Sequence, residues 1–383
     1  LPFARLCALL LLLSFLPVAP LPAAEERTLV LYNWAEYMPR QVLKQFTKET
    51  GIKVKYSTYD NNEAMFAKLK AVEASGGYDL VVPSSYYVTR MRAADMLLAL
   101  DKDRLPNLKN LDPRLLDKPH DPGNVYSVPY LWGASGIAVD SARIDPATIT
   151  SWADLWKPEF RGKLMLLDDQ REVFGIALKL AGHSINSRDP EEIRAAYEKL
   201  LELRPNVKVF NAESPKSVLL SGEVRIGQIY NGEAWMAEQA NPKIRFVIPK
   251  EGPLLWVDNL VIPKSARHVA EAHAFIDFVL RPDIAKQIAE DVGYTTPNLA
   301  ARALLAKKVR DSRTAARDRS SLITSDGHEP TRKSSLISGR RARRRATARS
   351  SSSLASVRPA RSFSSRIAVA KRGSAKIITP AAA

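Results

Sequence analysis

The chain has 383 residues, 45% of them hydrophobic and 26% charged, with a net charge of +16 and a single cysteine, Cys7. This is ordinary globular composition; it excludes collagen-like, wholly disordered and disulfide-framework classes, and the length suits two or three domains or one two-lobed unit. The excess charge is all in one place: residues 307–383 hold 20 Lys+Arg and 4 Asp+Glu, which leaves the preceding body neutral. The total charge is therefore no argument for a nucleic-acid or membrane partner of the body.

In chain order, the one long apolar run, 6–18, is 13 residues and too short to span a bilayer. Arg5 precedes it and small residues fill 19–24, so residues 1–24 read as an export signal that would carry Cys7 away with it. A strand is predicted over 28–32. Pro39 opens a helix that Gly51 closes, as Pro in a first turn and Gly past an end should. A strand follows over 52–59, and Met65, Phe66, Leu69 and Val72 set a helix over 61–75. A short buried strand is expected at 78–82, another strand at 163–167, and a helix at 173–180. Asp189, Pro190 and Glu192 make an N-terminal cap for a helix through Leu201. Strands at 225–230, 244–249 and 254–262 and helices at 266–280 and 283–290 complete the body. This alternation predicts an α/β fold with a mostly parallel sheet.

From about Asp311 the character changes. Residues 311–383 hold 14 Arg and 16 Ser, no Trp or Tyr, and Phe363 as the one aromatic. No apolar face persists, so the segment is not expected to fold alone. It reads as a basic arm, as a solvated disordered tail, or as the product of a reading frame that slipped near Lys307–Asp311; the last fits its composition best.

Ligands of α/β folds bind outside the carboxyl ends of strands, so the residues that follow each strand carry the functional reading. They are Asn33-Trp34-Ala35-Glu36-Tyr37, Pro83-Ser84-Ser85-Tyr86-Tyr87, Asp168-Asp169-Gln170-Arg171-Glu172 and Tyr230-Asn231-Gly232. Trp256-Val257-Asp258 lies within a strand and Gly293-Tyr294 after a helix. Aromatics and carboxylates recur. Ring faces attract an ammonium, worth about 0.5–2 kcal/mol each, and carboxylates accept charge-assisted hydrogen bonds from its N–H groups. Several along one cleft suit an organic cation with separated charges. Taken singly, Trp34 and Tyr37 also read as core edges, and Asp169 and Glu172 as carboxylates at a helix N-terminus. Asp168 reads as the structural member of its pair and Tyr87 as core. Nothing resembling a hydrolase, glycosidase or phosphate-loop motif accompanies the acids, and none of the five histidines pairs with Asp169 or Glu172 at metal-ligand spacing.

The same residues carry a resemblance. Tyr32-Asn33-Trp34-Ala35-Glu36-Tyr37, the run 46–54, Tyr78-Asp79-Leu80-Val81-Val82-Pro83-Ser84, Ser151-Trp152-Ala153-Asp154-Leu155-Trp156-Lys157-Pro158, Asp168-Asp169-Gln170-Arg171-Glu172-Val173-Phe174 and the run 293–302 are colinear motifs. Over about 28–305 the chain resembles the periplasmic spermidine/putrescine-binding proteins of polyamine ABC transporters. The resemblance implies a two-lobed periplasmic-binding-protein fold of type II, with a first lobe from 25–133 plus 257–301, a second from 134–256, and 302–383 as the aberrant C-terminal segment. The chain would cross between the lobes near Trp132 to Ser135 and near Trp256. A polyamine would lie among Trp34, Tyr37, Tyr86, Trp256 and Tyr294, with Tyr230 close by. Glu36, Asp169, Glu172 and Asp258 would hold its ammonium groups, and Ser84 and Ser85 would line the same wall. The implied protein is a monomeric periplasmic receptor that hands its ligand to an inner-membrane ABC permease, with no cofactor, no metal and no nucleic-acid partner. A receptor or sensor for another organic cation is the alternative.

Three departures from the family pattern carry expectations. Ala35 stands where a polar side chain is common, and Tyr230 where a Trp is usual, which weakens a cation–π contact. Beyond about Leu305 the family continues into helices that cover the second lobe and offer the ligand a polar group. Their replacement by the basic segment predicts exposed apolar surface, lower stability and one ligand contact unmade.

Overall fold

The computed structural model describes residues 27–310, and the readings of 1–24 as a signal and of 311–383 as an aberrant tail lie outside them. Strand β1 (Thr28–Trp34) leads to helix α1 (Arg40–Thr50), strand β2 (Lys53–Tyr59), helix α2 (Asn62–Val72), strand β3 (Leu80–Val81) and helix α3 (Ser85–Ala93). Short single-turn segments then reach the 14-residue strand β4 (Ser127–Asp140). The middle of the chain forms β5 (Leu164–Leu166), α4 (Gln170–Leu180), α5 (Pro190–Leu203), β6 (Val207–Phe210), α6 (Pro215–Leu220), β7 (Ile226–Tyr230), α7 (Asn231–Ala240) and β8 (Ile244–Val247). The last part holds β9 (Leu254–Val261), α8 (Val269–Val279), α9 (Pro282–Val292), α10 (Leu299–Leu304) and α11 (Lys307–Arg310).

Local chemistry explains the ends. Helix α1 starts after Pro39 and stops where Gly51 turns left-handed at φ 72°, its N–H bonded back to the Thr47 carbonyl. Asn61 caps α2 by accepting the Ala64 N–H at 2.8 Å, and Asp189 caps α5 by accepting the Glu191 N–H at 2.9 Å. The buried Asp79 is a tie rod. It accepts the N–H groups of Val30 at 2.8 Å and of Arg267 and His268 at 2.9 Å each, pinning the late part of the chain to β1.

One nine-stranded sheet runs in the order β2-β1-β3-β9-β4-β7-β5-β6, with β8 also paired to β4. It is mixed rather than mostly parallel. The pairs β1–β2, β1–β3, β5–β6 and β5–β7 are parallel, whereas β9 runs antiparallel to β3 and β4, and β4 runs antiparallel to β7 and β8 as well. The reversal lies at the centre, where β4 and β9 belong to both halves. Residues 127–135 of β4 pair with β9, and residues 135–139 pair with β7.

Hydrophobic packing divides the same way and makes two lobes. One core gathers Leu29, Phe46, Leu80, Leu131, Leu260 and Phe275, with Phe46 edge-on to Phe275 at 4.9 Å. The other gathers Ile137, Trp152, Leu164, Ile176, Leu200 and Leu254. Between them, Trp132, Ala134, Leu255 and Val257 of the two shared strands form a small cluster of their own with Leu115. The two-lobed α/β architecture expected from the sequence is therefore present.

Candidate functional site

A cleft of about 850 Å³, counted with the solvent space at its open mouth, lies between the lobes beside β4 and β9. Its lining contains Trp34, Tyr37, Ser84, Ser85, Tyr86, Asp169, Glu172, Tyr230, Trp256, Asp258 and Tyr294. Every residue expected in the site except Glu36 is thus brought together.

The first wall is built at the ends of β1 and β3. Trp34 donates its indole N–H to the Val82 carbonyl at 2.8 Å and packs on Tyr59 at 4.7 Å. Tyr37 donates its hydroxyl to Asp258 Oδ2 at 2.8 Å, and Ser84 donates to Asp258 Oδ1 at 2.6 Å. Both carboxylate oxygens are therefore held by hydroxyls from separate segments. The Ser85 hydroxyl donates to the Val257 carbonyl at 3.1 Å, tying α3 to β9. Asn62 donates to both Ser84 Oγ and the Tyr86 hydroxyl, at 3.1 and 3.0 Å, so the N-terminus of α2 sets this wall.

The opposite wall is the N-terminus of α4. Asp169 caps that helix by accepting the Glu172 N–H at 3.0 Å. Gln228, on β7, donates to Glu172 Oε2 at 3.2 Å. The core-edge and helix-cap readings of these residues are thus true together with their place in the cleft: Tyr37 is buried in the first core, and Asp169 is an N-cap. Rings close the remaining side, with Tyr294 5.0 Å from Tyr37 and 5.3 Å from Trp256, and Tyr230 edge-on to Trp256 at 5.8 Å. Tyr87, expected in the core, is buried, and Asp168 is absent from the lining.

Burial dominates the electrostatics. It pushes Asp258 up from 3.8 to about 7, against the pull of the Ser84 and Tyr37 hydrogen bonds. Burial raises Glu172 and Asp169 as well, and the negative charge of Asp169 adds to the rise at Glu172. Tyr37 is pushed well above its usual range by burial and by Asp258, so it stays a donor.

Glu36 is the residue the structure sets apart. At φ 53° it turns away from the lining, exposed, and pairs with Lys216 Nζ at 3.2 Å. The sequence reading missed Tyr59, Arg171, Ile185, Ala212, Glu213 and Glu233, which also line the cleft. Arg171 had a signal, since it lies inside the acidic motif; its guanidinium sits 4.7 Å over the Tyr86 ring. Among the described residues, no three His, Cys, Asp or Glu side chains converge to hold a metal ion.

Two lobes that share a pair of antiparallel strands and face each other across a lined cleft define a protein built to enclose a solute. The family model described as bacterial extracellular solute-binding protein matches residues 41–316, and the chain belongs to that family. It is 54% identical over 291 residues to the spermidine/putrescine-binding periplasmic protein of Salmonella typhimurium, covering 76% of this chain and 83% of the relative. To the putrescine-binding periplasmic protein PotF of Escherichia coli it is 36% identical over 309 residues, covering 76% and 83%. Among solved structures it is similar to the spermidine/putrescine ABC transporter substrate-binding protein PotD of Streptococcus pneumoniae, at 41% identity and a TM-score of 0.65, covering 77% of this chain and 90% of that one.

Proposed function

We propose that this chain is a periplasmic receptor that captures a polyamine, spermidine or putrescine, and delivers it to an inner-membrane ABC permease. The observation that carries the reading is the lining of one cleft by Trp34, Tyr86, Trp256 and Tyr294 together with the buried carboxylates of Asp169, Glu172 and Asp258. Ring faces cover methylenes and attract ammonium groups, while carboxylates accept their N–H bonds. The names of the relatives support the same ligand class.

The mechanism is closure. The lobes divide near 133/134 and 256/257, on the two shared strands, and a ligand that touches both walls shifts an open–closed equilibrium by its differential affinity for the closed form. Asp258 with Tyr37 and Ser84 orients one end of the ligand, and Asp169 with Glu172 draws the other. The closed form docks on the permease as a monomer, and no bond is made or broken.

Thermal melts with putrescine, spermidine and lysine test the reading. A ligand at 100 times its Kd stabilises by about 2.7 kcal/mol, a shift of several degrees. A shift with a polyamine and none with lysine is expected. A cooperative melt that no polyamine moves overturns the reading.

A further inference from the structure

Outside the cleft lining, Glu36 is paired with a cation of the protein itself. Lys216, the second residue of α6, places Nζ 3.2 Å from Glu36 Oε2 and 3.5 Å from Glu233 Oε1. Its backbone N–H donates to the other Glu233 oxygen at 3.1 Å, so α6 and its lysine grip one carboxylate by two points. Glu233 is a lining residue of the cleft, and its side chain is 4% exposed; that of Lys216 is 17% exposed and that of Glu36 50%. The pair lies at the Tyr294 end. The charges of Glu233 and Glu36 both bear on the Tyr294 phenol, whereas those of Asp169 and Glu63 bear on Tyr86.

A lysine side chain is a four-carbon alkyl chain ending in an ammonium, the same chemistry as the end of a polyamine. We infer that Lys216 is a specificity-determining residue whose ammonium fills the Glu36–Glu233 carboxylate pair at one end of the cleft, so that the site prefers a diamine over a longer triamine. The inference rests on the polyamine reading of the cleft and adds to it which member of the class is favoured. A diamine needs only Asp258 and the Asp169–Glu172 pair. A third ammonium reaching past Tyr294 meets a pair whose negative charge the lysine has already halved, and meets the lysine charge as well. Removing that charge releases two carboxylates for the longer ligand.

Calorimetric titration of putrescine and spermidine into the wild type, Lys216→Met, Lys216→Gln and Lys216→Arg is the test. Lys216→Gln keeps a hydrogen-bond donor for Glu233 and guards against a Lys216→Met variant that fails to fold. The wild type is expected to bind putrescine more tightly. Each charge-removing variant is expected to tighten spermidine about tenfold and to leave putrescine within about threefold, since one close charge–charge contact is commonly worth this much. Lys216→Arg keeps the wild-type ratio, and Glu36→Gln added to Lys216→Gln cancels the gain. A lysine that merely bridges the lobes predicts equal weakening of both amines; that result, an unmoved ratio, or Lys216→Arg behaving like Lys216→Met overturns the inference. A wild type that binds neither amine fails at the polyamine reading beneath the inference, whereas failure of the inference alone leaves wild-type binding intact.

Discussion

Asp258 on one wall of the cleft and the Asp169–Glu172 pair on the other are all buried carboxylates, but the protein prepares them differently. Asp258 has a hydroxyl on each oxygen, from Tyr37 at 2.8 Å and Ser84 at 2.6 Å, so the segments that follow β1 and β3 fix it. Asp169 and Glu172 share a helix N-terminus, whose unpaired N–H groups favour negative charge, and they oppose each other. The first wall is an oriented acceptor. The second is a concentrated charge held at some cost, and a cation arriving there relieves it. Orientation and attraction, which one carboxylate could in principle supply, are thus separated across the cleft. A ligand that needs both must touch both lobes.

The largest expected effect breaks that comparison at its fixed end. Asp258→Asn removes the charge and turns one of the two oxygens that the hydroxyls point at into a donor, and loss of one partner from a buried charged contact costs about 2–5 kcal/mol. A polyamine Kd weakened by at least 30-fold, which is about 2 kcal/mol, is expected from calorimetry. Glu172→Gln should weaken binding less, because Asp169 remains, and should raise the melting temperature of the empty protein by removing a like-charge neighbour. Equal losses of affinity together with lower melting of both variants would show the walls to be alike.

The next effect is on pH. The folded Asp258 carboxyl titrates near 7 and the free side chain near 3.8. Between those values the folded protein binds a proton that the unfolded chain does not, so by linkage the stability of the empty protein rises as pH falls from 8 towards 5. Asp169 and Glu172 shift in the same direction and add to the slope. Ligand ammoniums must displace those protons, so affinity falls over the same range while stability climbs. Melting curves and titrations at pH 8, 7 and 6 check both signs, and an affinity that rises on acidification would remove the buried carboxylates from the binding step.

The strand ends made most of this site legible in the sequence, because aromatic and acidic residues interrupt apolar runs there. Tyr37 and Asp169 show why the structural and functional readings competed: each is part of the frame, one in a core and the other as a helix cap, and each also lines the cleft. Strand β4 was not legible. It contains Pro129, Gly133 and Gly136, residue types that weaken a strand pattern, but Gly133 faces the Trp256 ring, where an added Cβ would come within 2.5 Å, so glycine there is the space that the indole needs. Helix α7 opens on Asn231-Gly232 and was hidden for the same reason. The central reversal of the sheet follows from the pairing of β4 with β9, which lie more than a hundred residues apart in the sequence. The fate of Glu36 was out of reach in the same way, since it depends on Lys216, and no local pattern couples the two.

The smallest effect sharpens the comparison from the aromatic side. Trp34 is a ring of the first wall whose indole N–H donates to the Val82 carbonyl at 2.8 Å. That carbonyl also accepts the Tyr59 hydroxyl at 2.6 Å. Trp34→Phe therefore leaves no orphaned acceptor, and the usual penalty for a buried unpaired group is avoided. What remains is the weaker quadrupole and smaller face of a phenyl ring, a loss within the range of about 0.5–1 kcal/mol for one cation–π contact. The substitution should weaken polyamine binding by about fivefold or less, within that same range, and leave the melting temperature of the empty protein nearly unchanged. A large drop in melting temperature with intact affinity would place Trp34 in the scaffold of the first wall, with Asp258 and its two hydroxyls left to orient the ligand.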